Sequence, residues 1–188
     1  MKRALTLVAV LLIATTSWTA LGDTYALDPL HCSIIFRIKH NNVTWFYGRI
    51  NAPEGTIIYD PAKPEASSFD ITLKSANIDT GNTARDNQLK SPTFFNARDI
   101  PTMTFKSSSV KKADDNNLEV TGDLTVHGVT KPLTLKLEQT GMTTTGPKPL
   151  VGFEGTFTIK RTDFGMSEML NGLGDDVRMI VSFEAGKK

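Results

Sequence analysis

Residues 118–126 alternate with a period of two. Leu118, Val120, Gly122, Leu124 and Val126 share one face, while Glu119, Thr121, Asp123 and Thr125 share the other, with His127 continuing the polar side. A segment with that period is a strand that buries one face and wets the other. The pattern returns along most of the chain. It is carried by Cys32, Ile34, Phe36, Ile38 and His40; by Phe69, Ile71 and Leu73; by Met103, Phe105 and Ser107; and by Leu133, Leu135 and Leu137. It closes with Val151, Phe153, Gly155, Phe157 and Ile159, then Arg161, and with Val177, Met179, Val181 and Phe183. At least seven one-sided strands joined by short turns predict an all-β domain whose apolar faces share one interior. Closing the sheet into a barrel would remove exposed edges, although periodicity alone does not separate barrel from sandwich.

Shorter features fill in the order. A first short strand over residues 24–28 ends at Asp28-Pro29, and residues 56–59 form another before Asp60-Pro61. Residues 43–51, with Trp45, Phe46 and Tyr47 before Gly48, fit either a turn of helix or a bent strand. His127-Gly128 reads as a tight hairpin. Residues 140–149, rich in Gly, Thr and Pro, read as a loop without periodicity, and residues 171–176 as a glycine-rich turn.

One stretch breaks the strand pattern. In residues 78–105, Thr80, Asn82 and Thr83 can each cap the opening N–H groups of a helix, residues 84–90 are tolerable helix formers, and Ser91-Pro92 ends the run. The adjacent Phe94-Phe95 follows, and Pro101 returns the chain to an extended conformation. A helix of two turns is unstable alone, so Leu89 and the Phe pair must dock it on an apolar surface, which we take to be the open end of the barrel.

The chain begins with Lys2-Arg3, an apolar run over residues 4–14, and small residues at Ala20 and Gly22. That arrangement predicts a signal peptide over residues 1–22, a single domain over 23–188 and a periplasmic location; the run is well short of the ~20 residues of a membrane span. Setting aside Lys2 and Arg3, 19 of the 21 basic residues face 20 acidic ones. So even a balance disfavours nucleic acid or an anionic membrane surface as a partner. Cys32 is the only cysteine and closes no internal disulfide, so it reads as a small buried apolar side chain.

No constellation for catalysis stands out. His31, His40 and His127 form no metal-binding spacing, and no GxSxG elbow or phosphate-cradling loop is present. The expectation is therefore a protein that is not an enzyme, with no metal and no cofactor. His40 and Arg161 break inward apolar stripes at strand ends. Arg161 has two readings: an ion pair with a carboxylate such as Asp163 that closes the barrel end, or an anion contact at the rim of a cavity. His40 likewise either bonds a loop carbonyl or faces a ligand, and Arg85 is either solvated, tied to a nearby acid, or a second anion contact.

The residues also carry a family resemblance. Asp28-x-x-His31-x-x-Ile34-x-Phe36 with His40 and Gly48, Asn77-Ile78-Asp79-Thr80, and Arg85-Asp86-x-x-Leu89-x-Ser91 come in order. They are followed by Phe94-Phe95, Pro101-x-x-x-Phe105-x-Ser107, Gly122-x-Leu124-Thr125-x-x-Gly128-Val129-Thr130, and Arg161-x-Asp163-Phe164-Gly165. Together they resemble the YceI-like, polyisoprenoid-binding family of exported bacterial proteins, with Cys32 where that family usually has Ser. The resemblance implies an extended lipocalin-like antiparallel β-barrel with a short helical insert at the mouth. It implies an amphiphilic isoprenoid lipid, a polyprenyl phosphate or an isoprenoid quinone, as ligand. By position, the head group would meet His31, His40, Arg85, Asp86 and Arg161. The tail would meet Phe36, Ile38, Phe94, Phe95, Phe105, Phe157 and Phe164. An enzyme acting on a prenyl lipid, a filled barrel acting as an interaction module, and a homodimer all remain open.

Overall fold

The computed structural model describes residues 22–188. Apart from Gly22, the expected signal peptide lies outside the described residues. The chain runs through β1 (Asp23–Leu27), β2 (Ser33–His40), β3 (Thr44–Ile50), β4 (Glu54–Tyr59), β5 (Ser68–Lys74) and β6 (Ile78–Asp79). It continues through α1 (Thr83–Lys90), β7 (Thr102–Lys112), β8 (Asn117–Val126), β9 (Val129–Thr143), β10 (Leu150–Lys160) and β11 (Leu173–Lys187). All the pairings are antiparallel, in the order β1-β4-β5-β7-β8-β9-β10-β11, and β1 pairs back onto β11 to close an eight-stranded ring. The all-β barrel with one short helix is as the alternation and the resemblance led us to expect.

β11 is longer than either partner on its outer edge and serves both. Its last residues, Ala185 to Lys187, pair with Leu27 to Tyr25 of β1, while Val177 to Ser182 pair with Ile38 to Ser33 of β2. Beyond β2 the sheet continues into β3 and then β6, which pairs with β3 alone. The ring is thus zipped at one end and branches at the other. Helix α1 packs on β6 and begins the insert that covers the branched end.

The interior follows the same division. At the zipped end Tyr25, Ile57, Phe69, Val120, Val151 and Phe153 are fully buried. Phe153 is the pivot there, meeting Tyr59 and Phe69 edge-to-face with ring centroids 5.1 and 5.2 Å away. The Tyr59 hydroxyl donates to Gln139 Oε1 at 2.6 Å, so a polar atom in this plug is satisfied. Gly122 lets β8 lie against β7, because a Cβ there would overlap the Lys106 carbonyl and Ser107 Cα; the pairing skips a residue between Ser107 and Ser109 at this point.

One open alternative is settled and two local expectations change. Residues 44–50 form a strand, since Trp45, Phe46 and Tyr47 find partners on β2. The loop expected over 140–149 is shorter: Gly141, Met142 and Thr143 pair with β10, and Thr-rich sequence suits a strand once a partner is available. The turn placed at 171–176 falls earlier, because β11 starts at Leu173, which pairs with His40, and a register irregularity absorbs the residues before Val177. The His127-Gly128 hairpin is as read, with both residues left-handed (φ 50° and 75°), the backbone a two-residue turn between twisted strands requires.

Replacing Phe153 with Ala empties the centre of the packed end. It should lower stability by about 3–5 kcal/mol, read as the shift in a chemical denaturation midpoint at unchanged slope; a loss below about 1 kcal/mol, the range of a well-tolerated core swap, would contradict a solid plug.

Candidate functional site

At the branched end the inward stripes stop touching one another. Between them lies a cavity of about 450 Å3, within the roughly 300–1,000 Å3 range of pockets that enclose small ligands. The interior is therefore not filled along its whole length. β10 and β8 contribute only the half of the stripe nearest the mouth, Phe157 and Ile159 but not Phe153, and Leu124 and Val126 but not Val120, whereas β2, β5, β9 and β11 line the cavity along their whole inward stripes. Phe69, Leu137 and Phe183 form the floor, where the packed plug begins. Four methionines, Met103, Met166, Met169 and Met179, also line it, and their unbranched side chains can follow the outline of a guest.

Four lining residues, His40, Thr44, Gln88 and Met169, are exposed, which locates the mouth between the β2–β3 hairpin, α1 and the segment ahead of β11. Asn82 starts α1 by accepting a hydrogen bond from the Arg85 amide on its side-chain oxygen at 3.0 Å. The helix itself buries no residue fully. It is held through Leu89, through Gln88 against the Met169 sulfur at 3.6 Å, and through Arg85. The Arg85 guanidinium donates to Thr80 Oγ1 and the Thr80 carbonyl, both at 2.9 Å, and stacks 4.1 Å from the Phe46 ring centroid. Phe94 and Phe95 follow and close the cavity from above, as expected for the docked insert. The far end of the insert is tied down by Ser75, whose amide donates to the Pro101 carbonyl at 2.9 Å and whose hydroxyl donates to the Ile100 carbonyl at 3.1 Å.

Arg161 is the most constrained side chain of the site. It is 3% exposed, yet no carboxylate pairs with it directly. Nε donates to the Gly174 carbonyl (2.9 Å), Nη1 to those of Met166 (2.7 Å) and Glu168 (2.6 Å), and Nη2 to that of Leu173 (3.1 Å). The ion pair with Asp163 considered from sequence is replaced by four backbone carbonyls, which converge because residues 166–174 wrap around the guanidinium. Burial pushes its pKa down, with Asp175 and Glu168 opposing from a distance. Four of five N–H groups are committed, so Arg161 holds the β10–β11 connection in shape while its charge still faces the cavity.

The sequence-selected residues separate accordingly. His40, Arg85 and Arg161 line one cavity together with Phe36, Ile38, Phe94, Phe95, Phe105 and Phe157. Two of the head-group candidates and one tail candidate do not. Asp86 turns away, its Oδ1 accepting from the Thr80 amide (2.8 Å) and hydroxyl (2.6 Å), where it braces the residue that holds Arg85. Phe164 is buried outside the cavity beside a shallower hollow lined by Lys131, Pro132 and Ile159, and its carbonyl meets His127 Nδ1 at 3.1 Å. His31 sits on the outer wall where β1 gives way to β2, its Nδ1 at 2.9 Å from Asp28 Oδ2 and 3.8 Å from Glu184 Oε1. These are the described residues whose possible metal-ligating atoms converge, but the Asp28–His31 hydrogen bond accounts for the arrangement. Cys32, next to them, is half-buried and its thiol donates to the Glu184 carbonyl at 3.4 Å; burial raises its pKa.

Gln88, Thr44, Phe46 and the methionines were not singled out from sequence. Gln88 lies three residues after Arg85, a spacing that places both on one helix face. Met166 and Met169 lie outside any strand, where periodicity gives no signal. Among the lining residues the charged or titratable ones are His40, Arg85 and Arg161, and none is acidic.

Two measurements test these placements. Exchanging Arg161 for Met leaves four carbonyls without donors, each costing about 1–3 kcal/mol where it stays buried and unpaired, and should destabilise, with faster amide exchange across residues 166–174; an unchanged midpoint would contradict the bracing role. The Asp28 carboxylate raises the pKa of His31 above its ordinary 6.5, and His31 lowers that of Asp28. The bridge therefore contributes stability below the ordinary His value and loses it as pH rises through the raised one; the Asp28 share is lost as pH falls through the lowered carboxylate value. An NMR titration of His31 should show a midpoint above 6.5 that returns toward it in Asp28→Asn, and a midpoint unmoved by that change would remove the bridge.

The YceI-like domain profile matches residues 25–185. Protein YceI of Escherichia coli O6:H1 is 36% identical over 190 aligned positions, covering 98% of this chain and 97% of that protein. The Campylobacter jejuni YCEI protein crystal structure, 35% identical, superposes with a TM-score of 0.70 over 75% of this chain and 84% of its own. A polyisoprenoid binding domain from Saccharophagus degradans, only 14% identical, shares the fold with a TM-score of 0.71 over 87% and 98%.

Proposed function

The chain belongs to the YceI-like family, and from that premise we propose that it is an exported carrier or storage protein for an amphiphilic isoprenoid lipid. The observation that carries the reading is a hollow walled by apolar side chains that meets solvent beside His40 and Arg85, with no acid on its lining. A branched hydrocarbon tail lies against the Phe, Leu, Ile and Met walls, and a polar head, phosphate or quinone, stops at the cationic mouth. The distantly related Saccharophagus degradans domain, described as polyisoprenoid binding, supports the tail class. Lys2-Arg3 and the apolar run behind them support export to the periplasm.

Binding rather than turnover fits the lining. An enzyme needs an acid, a base or a nucleophile near the reacting bond. The hollow offers no carboxylate, thiol or serine; its hydroxyls, Thr44 and Thr104, bond no imidazole or acid among the described residues, and its one imidazole, His40, makes no side-chain hydrogen bond there. Specificity for the tail then follows from length and bulk. Each buried methylene contributes about 0.8 kcal/mol, and an apolar wall distinguishes poorly between tails of equal volume.

A series of prenyl alcohols of increasing length tests the reading. Dissociation constants should fall at least about tenfold per five-carbon unit until the hollow is full, since even a third of the roughly 4 kcal/mol for five buried carbons gives that factor. Leu133→Trp, which pushes an indole into the hollow, should weaken the longest members most. Affinity independent of chain length, or unaffected by filling the hollow, would contradict it.

A further inference from the structure

Apart from Leu30 on the β1–β2 connection, the exposed large apolar side chains are gathered in one region. Val43, 81% exposed, stands at the tip of the β2–β3 hairpin, and Met169 and Leu170 are exposed on the turn ahead of β11. The Asn41 amide donates to the Gly172 carbonyl at 2.7 Å, so hairpin tip and turn form one ledge. That ledge borders the mouth, because His40 and Thr44 flank the tip and Met169 reaches into the hollow. A second band runs down the outer wall beneath it. Trp45 lies opposite Lys39 and Tyr47 opposite Arg37 across β2–β3, with Arg178 beside Arg37 on β11. The Arg37 guanidinium lies 4.3 Å and the Lys39 ammonium 4.9 Å from the Trp45 ring centroid.

None of Arg37, Lys39 and Arg178 makes an ion pair among the described residues, although seven other basic side chains do. Of the bordering carboxylates, Asp176 is taken by Lys160 at 3.2 Å, and Asp79, which also accepts from the Gly81 amide at 2.9 Å, lies opposite Arg49 and feels its charge, so Arg49 is not among the free cations. Net charge near zero disfavours an anionic surface as partner, but the fold segregates that charge. One outer face is left cationic and aromatic directly below an apolar ledge.

We propose that this face is a docking surface for an anionic phospholipid bilayer. Val43, Met169 and Leu170 dip into the interface, Trp45 and Tyr47 lie at head-group depth, and Arg37, Lys39 and Arg178 meet lipid phosphates. The inference rests on the carrier reading and explains how the hollow is loaded. A prenyl tail that crosses water exposes every methylene, whereas a mouth held against the bilayer lets the tail slide from one apolar medium to another. Apolar tip residues alone would fit another protein equally well; the unpaired cations beside them single out anionic lipid.

The test uses protein as its host cell exports it, with vesicles of phosphatidylcholine alone or mixed with phosphatidylglycerol and free of any isoprenoid. The protein should float with the anionic vesicles, less in high salt, and stay behind with the neutral ones. Lys39→Gln combined with Arg37→Gln should weaken partitioning about 30-fold, from roughly fivefold per charge near a membrane surface, and Val43→Asp with Leu170→Asp should weaken it further. All four changes lie off the cavity lining, so the same variants should still take up a prenyl alcohol in solution. Flotation equal in wild type and variants would place binding elsewhere and overturn the proposal. No flotation would do the same, as would self-association abolished by the variants, which would assign the face to a second copy. Prenyl uptake without flotation sinks only the docking surface, and flotation without prenyl uptake sinks only the carrier reading.

Discussion

The shared edge of β11 shapes everything else. One long strand cannot pair with β1 and β2 at the same residues, so it pairs with β1 over Ala185 to Lys187 and with β2 from Ser182 back toward Leu173. Where β1 pairs, the sheet closes into a ring of eight and its side chains meet across the axis in the Phe153 plug. Where β2 pairs, the sheet runs on into β3 and β6 and its inward faces stand apart. The hollow exists because the same apolar stripe serves a closed ring at one end and a branched sheet at the other.

Electrostatics at the branched end are settled by backbone as much as by side chains. A buried guanidinium without a carboxylate is costly unless its N–H groups are satisfied. Arg161 meets that condition with four carbonyls drawn from the segment that follows β10. Since no acid neutralises it at contact distance, its charge persists at the cavity wall. Arg85 is held similarly, by Thr80 and by the Phe46 ring rather than by an acid, and Asp86 supports it indirectly through Thr80. Two fixed positive charges beside an apolar hollow favour a guest whose head is anionic or rich in acceptor oxygens.

Much of the fold was legible because strand period is a local property. Leu118 to Val126 and Phe69 to Leu73 read correctly without any knowledge of partners. A cap among Thr80, Asn82 and Thr83, which the structure narrows to Asn82, and the docking of Leu89, Phe94 and Phe95 were also legible, since cap chemistry and the instability of a short helix depend on near neighbours. What failed depended on distant partners. The Thr-rich end of β9 reads as a loop until β10 lies beside it, and residues before Val177 read as a turn until His40 fixes Leu173. His31, Asp86 and Phe164 belong to the sequence signature, yet they brace the wall, the helix entry and the β10–β11 corner rather than the cavity. A signature records that residue types occur in order, not which way each faces. The unpaired cations on β2 and β11 were hidden for another reason: a net charge averages over faces that only the fold separates.

The central claim is that the hollow between the Phe153 plug and the Arg85 helix holds a lipid tail. Native mass spectrometry of protein taken from its own cells without detergent, followed by solvent extraction, addresses it most directly. A discrete added mass, released by solvent and identified as an isoprenoid, is the result the account predicts. A bare protein mass that stays unchanged when prenyl lipid is added would contradict it.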